Sequence, residues 1–307
     1  MASASSGTVS AVVPTHDRPE LVRRAVQGIV DQDYDGDIEV LVVFDQSEPH
    51  DLDVALRPGR TVRVLVNDAR SPGLAGARNT GVLAAVGEWL AFCDDDDMWL
   101  PHRLTAQFAR LEEFGAPAAA ATGILVATET REIERRAPER VLGHQDFVRD
   151  RIMEVNPCTL LVRRSDLVEL VGLVDEQIPH GYGEDYDFLL RLTEVLPIVC
   201  VPDPLVVITY HAGSYYAANW SKMIEGLEYL QAKHPELGTD PVGSARINGQ
   251  LAIAYGGLRQ RGRALALART ALRANPREKR AFVALAIVTG LPAQRVAALV
   301  RRLGRGV

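Results

Sequence analysis

Four consecutive carboxylates, Asp94 to Asp97, stand directly after the apolar segment EWLAFC and directly before Met98 and Trp99. Like charges in a row repel, and holding them against an apolar wall is costly unless something neutralises them. The plain reading is a solvated acidic turn that caps the helix starting near Leu100. The chemical reading is a hard divalent cation, Mg2+ or Mn2+, which takes carboxylate oxygens and keeps positions open for phosphate. A second acidic pair, Glu184–Asp185, follows Gly181–Tyr182–Gly183 and opens a helical stretch. There the choice lies between acids that favour a helix N-terminus and a general base. Two further polar groups end apolar runs: Pro14–Thr15–His16–Asp17–Arg18, and Asp45.

These groups need elements to hold them. Thr8–Pro14, Ile38–Phe44, Thr61–Val66 and Glu88–Cys93 read as strands, being short β-branched or apolar runs bounded by turn residues. Between them, Asp17–Arg18–Pro19–Glu20 opens a helix with Asp17 as its cap, and Leu74–Val86 reads as an Ala-rich helix. A further helix runs from Pro101 to Phe114. Strands alternating with helices predict an α/β domain with a mostly parallel, Rossmann-like sheet. Ligands in such sheets bind off the carboxyl ends of the strands, where the polar groups above fall. No glycine-rich phosphate loop follows the first strand, so neither a dinucleotide fingerprint nor a Walker loop is present. Later on, Ala118–Thr128, Cys158–Val162 and Leu205–Tyr210 read as strands, 129–140 as a charged surface loop, and Ser165–Val171 and Glu184–Val195 as helices. From residue 217 onward all signals are helical: Asn219–Lys233, Ala245–Gln260, Ala264–Ala274, Lys279–Thr289 and Ala293–Leu303. The expected division is 1–216 and 217–307, the latter resembling helical-repeat hairpins.

The order PTHDRPE, VVFDQS, GLAGARNTGVLAAVGEWLAFCDDDDMWLPHRL and GYGEDYDFLLRL resembles the family 2 glycosyltransferases over roughly residues 8–212. The resemblance implies a GT-A fold and inverting transfer from a nucleotide-diphospho-sugar. It implies that Pro14, Thr15, Asp17 and Arg18 line the nucleotide, and that Asp45 accepts the imide N–H of uracil or thymine. It places Arg78 near the base or phosphates, Asp95 toward the ribose, and Asp94 and Asp96 at the acidic positions of a DxD motif, with Asp96 on the metal. Asp185, beside Glu184, corresponds to the catalytic base, and His211 falls where the family sets a histidine near metal and diphosphate. Phe44, Gln46, His16 and Asp17 depart from the usual family residues at their positions. Asn156, Thr159, Tyr182 and Trp220 are candidate acceptor contacts, whereas Trp89 and Trp99 suit core packing.

The chemistry is consistent with that likeness. A departing diphosphate needs positive charge, from a divalent cation and from Arg or His donors. An acceptor hydroxyl needs a positioned carboxylate to take its proton, and one base without an enzyme nucleophile gives inversion. The donor is expected to be a UDP- or dTDP-sugar, and the acceptor a glycan, lipid-linked or natural-product hydroxyl. The QxxRW-type motif of the polymerising members is missing. Two other readings compete. A sugar-nucleotide pyrophosphorylase needs a Gly-rich, basic loop after the first strand, which PTHDRPE is not. A non-catalytic nucleotide-binding scaffold would use the helical tail for a partner.

With 307 residues, 47% hydrophobic and 24% charged, the chain reads as an ordinary globular protein able to bury a core without staples. Cys93, Cys158 and Cys200 form no CxxC pair, which argues against a zinc module or disulfide scaffold and for a reducing, cytoplasmic setting. MASASSGTVS lacks the basic and apolar regions of a signal peptide, so none is expected. The run Ala281–Val288 is far shorter than the roughly 20 residues of a spanning helix. The net charge of −6 is uneven: Arg246–Val307 holds thirteen Lys and Arg against one acid, Glu278. Either these cations meet an anionic leaflet, placing the protein peripherally on the inner face of the plasma membrane, or they are solvated faces of helices against an acidic domain or a second copy in a homo-oligomer. No nucleic-acid module is present, so nucleic acid is not an expected partner.

Overall fold

The structure is a computed structural model and describes residues 7–128, 130–209 and 219–291. These residues form two compact units. The first holds the sheet and the helices that cover it. The second holds Gln145–Arg151, Gln177–Gly183 and the C-terminal helices.

The first unit begins β1 (Val9–Thr15), α1 (Pro19–Val30), β2 (Ile38–Asp45), β3 (Arg60–Asn67), α2 (Leu74–Ala84), β4 (Trp89–Phe92), β5 (Met98–Trp99) and α3 (Arg103–Phe114). β1 is buried along its whole length and β2 up to Asp45, which explains their unbroken apolar runs. β3, β2, β1 and β4 lie side by side and parallel, with Val9 in register with both Ile38 and Trp89. Strand order therefore reverses at β1: the chain moves outward through β2 and β3, then returns to lay β4 on the other flank. The carboxyl ends at this reversal are Thr15, Asp45 and Phe92, the last running into the four aspartates.

The chain continues through β6 (Ala119–Ala127), β7 (Glu132–Arg135), α4 (His144–Arg149), β8 (Leu161–Arg163), α5 (Arg164–Asp166), α6 (Glu184–Val195) and β9 (Ile198–Thr209). β8 pairs antiparallel with β4 and β6, whereas β9 runs parallel to β6, so the complete sheet is mixed. Three local expectations change. The stretch read as a loop contains β7, whose Glu-Ile-Glu-Arg alternation pairs antiparallel with β6. CTLLV is not one strand, because Pro157–Thr159 forms a 3-10 turn and the strand starts only at Leu161. The cap of α1 is Arg18, and Asp17 instead takes a left-handed backbone (φ 50°), which aspartate tolerates better than most residues.

The core between sheet and helices includes Trp89, Trp99, Phe108 and Phe44. Arg103 is fully buried, its guanidinium 3.7 Å from the Trp99 ring centroid and donating to the Leu160 carbonyl at 2.8 Å. Burial pulls its pKa down to about 9.

The second unit contains α7 (Trp220–Lys233), α8 (Pro241–Gly257), α9 (Arg261–Ala274) and α10 (Lys279–Val288). Its core is made largely of alanine, with Ile253 and Ile287, so the helices pack close together. Asp240 caps α8 by accepting from the Val242 and Gly243 amides. The expected helix Ala293–Leu303 lies outside the described residues. Among those described, no helix is long and apolar enough to cross a membrane.

Candidate active site

At the reversal point, the end of β1 closes over the aspartates. Thr15 Oγ1 donates to Asp95 Oδ2 at 2.8 Å. Arg18 Nη1 donates to Asp95 Oδ1 at 3.0 Å and to Asp96 Oδ2 at 3.2 Å. Burial pushes the Asp95 carboxyl up, although the Thr15 and Arg18 bonds pull the other way.

α2 reaches the same place from the other side. Gly81 lets it sit close to β1, because a Cβ there would lie 2.3 Å from Val12 Cγ1, and Gly76 lets the preceding loop fold back on the helix, because a Cβ there would lie 1.9 Å from the Ser71 carbonyl oxygen. This fit delivers Arg78, whose side chain is only 3% exposed, into the interior. Its Nη2 donates to Asp94 Oδ1 at 2.7 Å, and its Nη1 donates to Glu184 Oε1 at 3.0 Å. Burial alone would lower the Arg78 pKa, but Asp94 and Glu184 outweigh it and hold the charge. Glu184 is pushed up to about 7, because burial, with Asp185 and Asp94 adding to it, exceeds the pull of Arg78. Next to Arg78, Asn79 Nδ2 donates to the Val174 carbonyl at 2.8 Å and to Glu176 Oε1 at 2.7 Å, and its Oδ1 accepts from the Val174 amide at 2.9 Å. Glu176 also accepts from Arg70 and from the Ser71 amide.

The interior side of the aspartate run gathers three candidate ligand groups. Oxygen atoms of Asp94 and Asp97 and the Cys158 sulfur all lie within 4.8 Å of one another. The Cys158 sulfur accepts from the Asp94 amide at 3.3 Å, and Asp97 Oδ1 accepts from the Thr209 amide at 3.1 Å. Burial, reinforced by Asp94 and Asp96, pushes the Asp97 carboxyl well up. Among the described residues, Arg18 binds Asp95 and Asp96, and Arg78 binds Asp94 and Glu184. The Asp94 and Asp97 oxygens suit a hard divalent cation, whereas the Cys158 sulfur is a softer group that such a cation takes poorly. Asp96, the expected ligand, accepts from Arg18 and is not one of these three groups. His211 lies outside the described residues. Asp97 could have been taken from the four-aspartate run, but no sequence pattern marked Cys158.

Residues 10–170 match the family described as glycosyl transferase family 2. The chain belongs to that family. An Escherichia coli UDP-Glc:alpha-D-GlcNAc-diphosphoundecaprenol beta-1,3-glucosyltransferase, WfgD, is 28% identical over 103 residues, covering 34% of this chain and 40% of WfgD. The matches span 30% to 40% of the first curated relatives' own length. Among solved structures, S. aureus TarS 1–349 in complex with UDP-GlcNAc superposes with a TM-score of 0.61 at 18% identity, covering 97% of this chain and 92% of that one. A Pyrobaculum calidifontis mannosyltransferase in complex with GDP-Man and Mn2+ gives a TM-score of 0.56 at 16% identity, covering 98% and 88%. These likenesses establish a GT-A type of fold.

The other positions of this family 2 glycosyltransferase divide into two groups. Pro14 is buried in β1, and Asp17 is exposed beside His16. Asp45, at the end of β2, accepts from Asn67 Nδ2 and from the Gly73 amide, each at 2.7 Å, which ties the loop before α2 to the sheet. The acceptor candidates have structural partners. Asn156 and Thr159 cap the 3-10 turn reciprocally, and Thr159 has no exposed surface. In the helical unit, Tyr182 lies against Gly226 and Trp220 against Gly257, at distances that leave no room for a Cβ.

Proposed function

We propose that the chain is an inverting, metal-dependent glycosyltransferase. It moves a sugar from a UDP- or dTDP-sugar to a hydroxyl of a glycan, lipid-linked or natural-product acceptor, in the building of envelope polysaccharide. The observation that carries this reading is the Arg78 bridge. Carboxylates ninety residues apart in sequence, Asp94 and Glu184, share one guanidinium. One sugar can therefore meet both the aspartate cluster and the acids that open α6. The TarS complex with UDP-GlcNAc supports a UDP-sugar, the mannosyltransferase complex with GDP-Man supports a nucleotide-sugar donor more broadly, and WfgD's name supports a lipid-linked acceptor.

Within this reading the two acids of α6 have different tasks. Glu184 is buried against Arg78, which fixes the start of the helix and leaves its carboxyl unsuited to meet an acceptor. Asp185, only partly buried, is the base. The acceptor oxygen bonds to the anomeric carbon as its proton passes to the Asp185 carboxylate. The bond from that carbon to the diphosphate oxygen breaks on the opposite side, so configuration inverts and nucleoside diphosphate leaves. Asp94 and Asp97, with Asp96 at the rim, would hold Mn2+ or Mg2+. When bound, that cation supplies charge stabilisation for the leaving diphosphate. Arg18 lies on the nucleotide side of the cluster, where its exposed half can meet phosphate. Thr15 fixes Asp95 facing the ribose.

Donors are to be screened by thermal shift with Mn2+, followed by a nucleotide-release assay with and without acceptor glycans. UDP or dTDP release that requires acceptor supports the reading. Nucleotide binding without any release supports a scaffold, and pyrophosphate-dependent formation of nucleotide-sugar supports a pyrophosphorylase.

A further inference from the structure

The C-terminal helices carry a charge that the proposed transfer does not use. Glu278 is the one acid among thirteen cations from Arg246 to Val307. It is buried, and its Oε1 accepts from the Arg280 amide at 3.0 Å and from Arg280 Nη1 at 3.1 Å, so it neutralises nothing at the surface. α9 packs through Ala264, Ala268 and Ala271. Its outer face sets Arg269 and Arg273 one turn apart, both exposed, with Arg277 exposed just beyond the helix end. None of these three side chains makes an ion pair among the described residues. α10 adds exposed Lys279 and, one turn on, Phe282 with 53% of its surface in solvent.

A helix pair with exposed cations on one helix and an exposed large ring on the next matches the surface of a bilayer. Unpaired arginines meet anionic headgroups, and the ring enters the boundary above the acyl chains. A phosphate backbone in water would satisfy the arginines and leave Phe282 where it is. We propose that the exposed cations of α9 and the α9–α10 turn, with Phe282 of α10, form a docking surface for a bilayer containing anionic lipid. The face shares no residue with the transfer site, so vesicle binding and transfer can each fail without the other.

Full-length protein is to be tested by cosedimentation with vesicles of phosphatidylcholine alone and of phosphatidylcholine with phosphatidylglycerol at about 3:1. Binding is expected only to the mixed vesicles, with release as salt rises to about 0.5 M. The pair Arg269→Gln and Arg273→Gln should weaken partitioning about 25-fold, at about fivefold per arginine. Phe282→Ser should weaken binding to vesicles and leave binding to duplex DNA unchanged. All three are surface positions, and unchanged circular dichroism melting checks their folding. Equal binding to both vesicle types, no binding to either, or a Phe282→Ser variant that binds mixed vesicles as well as wild type would overturn the proposal. Duplex DNA binding tighter than the mixed vesicles would overturn it too, and assign the face to nucleic acid.

Discussion

Arg78 donates from Nη2 to Asp94 at 2.7 Å and from Nη1 to Glu184 at 3.0 Å, inside a site where its own side chain is 3% exposed. A guanidinium in this position is a rigid spacer between the aspartate cluster and the start of α6. Removing one partner of a buried ion pair leaves its charge uncompensated. Arg78→Met should therefore cost about 3–5 kcal/mol of stability by urea unfolding. Arg78→Lys keeps a charge without the planar fork and should fall between. A Met variant as stable as wild type would mean that the bridge holds nothing together.

Glu184 gives the stability a pH dependence of definite sign. Its folded pKa of about 7 lies above the ordinary 4.5, so the folded chain binds a proton more readily than the unfolded one. Its contribution is complete below pH 4.5 and is lost as pH rises through about 7, by on the order of 3 kcal/mol for this group. Glu184→Gln should flatten the fall in melting temperature over that window, measured without divalent metal. Identical pH profiles for variant and wild type would contradict this.

Cation binding should oppose that trend. Mn2+ at about 100 times its Kd stabilises a folded site by about 2.7 kcal/mol, and the gain should grow with pH as protons leave the carboxyls. Asp97→Asn should weaken Mn2+ about tenfold or more by calorimetry, comparable to Asp94→Asn. A tenfold loss confined to Asp96→Asn would move the cation out to the rim.

The order of strands and helices was legible because buried parallel strands and amphipathic helices leave strong apolar signatures. Helices Arg103–Phe114 and Glu184–Val195 follow directly from theirs. β5 was not legible, since two residues carry no periodicity, and β7 was hidden because its alternation is between charges and one isoleucine. In the site, the acids and Arg78 stood out by type. What the sequence could not disclose was the partnership of Arg78 with both Asp94 and Glu184, because that depends on how closely α2 approaches β1. Cys158 beside Asp94 was hidden for the same reason: tertiary packing alone brings them together.

That close approach is itself testable. Gly81→Ala places a Cβ 2.3 Å from Val12 Cγ1, and Gly76→Ala places one 1.9 Å from the Ser71 carbonyl oxygen. Overpacking of this kind costs about 1–3 kcal/mol. Gly76→Ala should cost more than Gly81→Ala, because a backbone oxygen yields less than a side chain. Calorimetric melting measures both: a neutral Gly81→Ala would contradict the close approach of α2 to β1, and a neutral Gly76→Ala the tight turn of the loop before it.

Asp185→Asn bears on the central claim most directly, because it removes the proposed base and leaves the Arg78 bridge intact. Acceptor-dependent release of nucleoside diphosphate is measured together with donor affinity by calorimetry in Mn2+. Release should fall by at least about a hundredfold, with the donor bound as in wild type. An Asp185→Asn enzyme that transfers sugar at the wild-type rate would contradict the account.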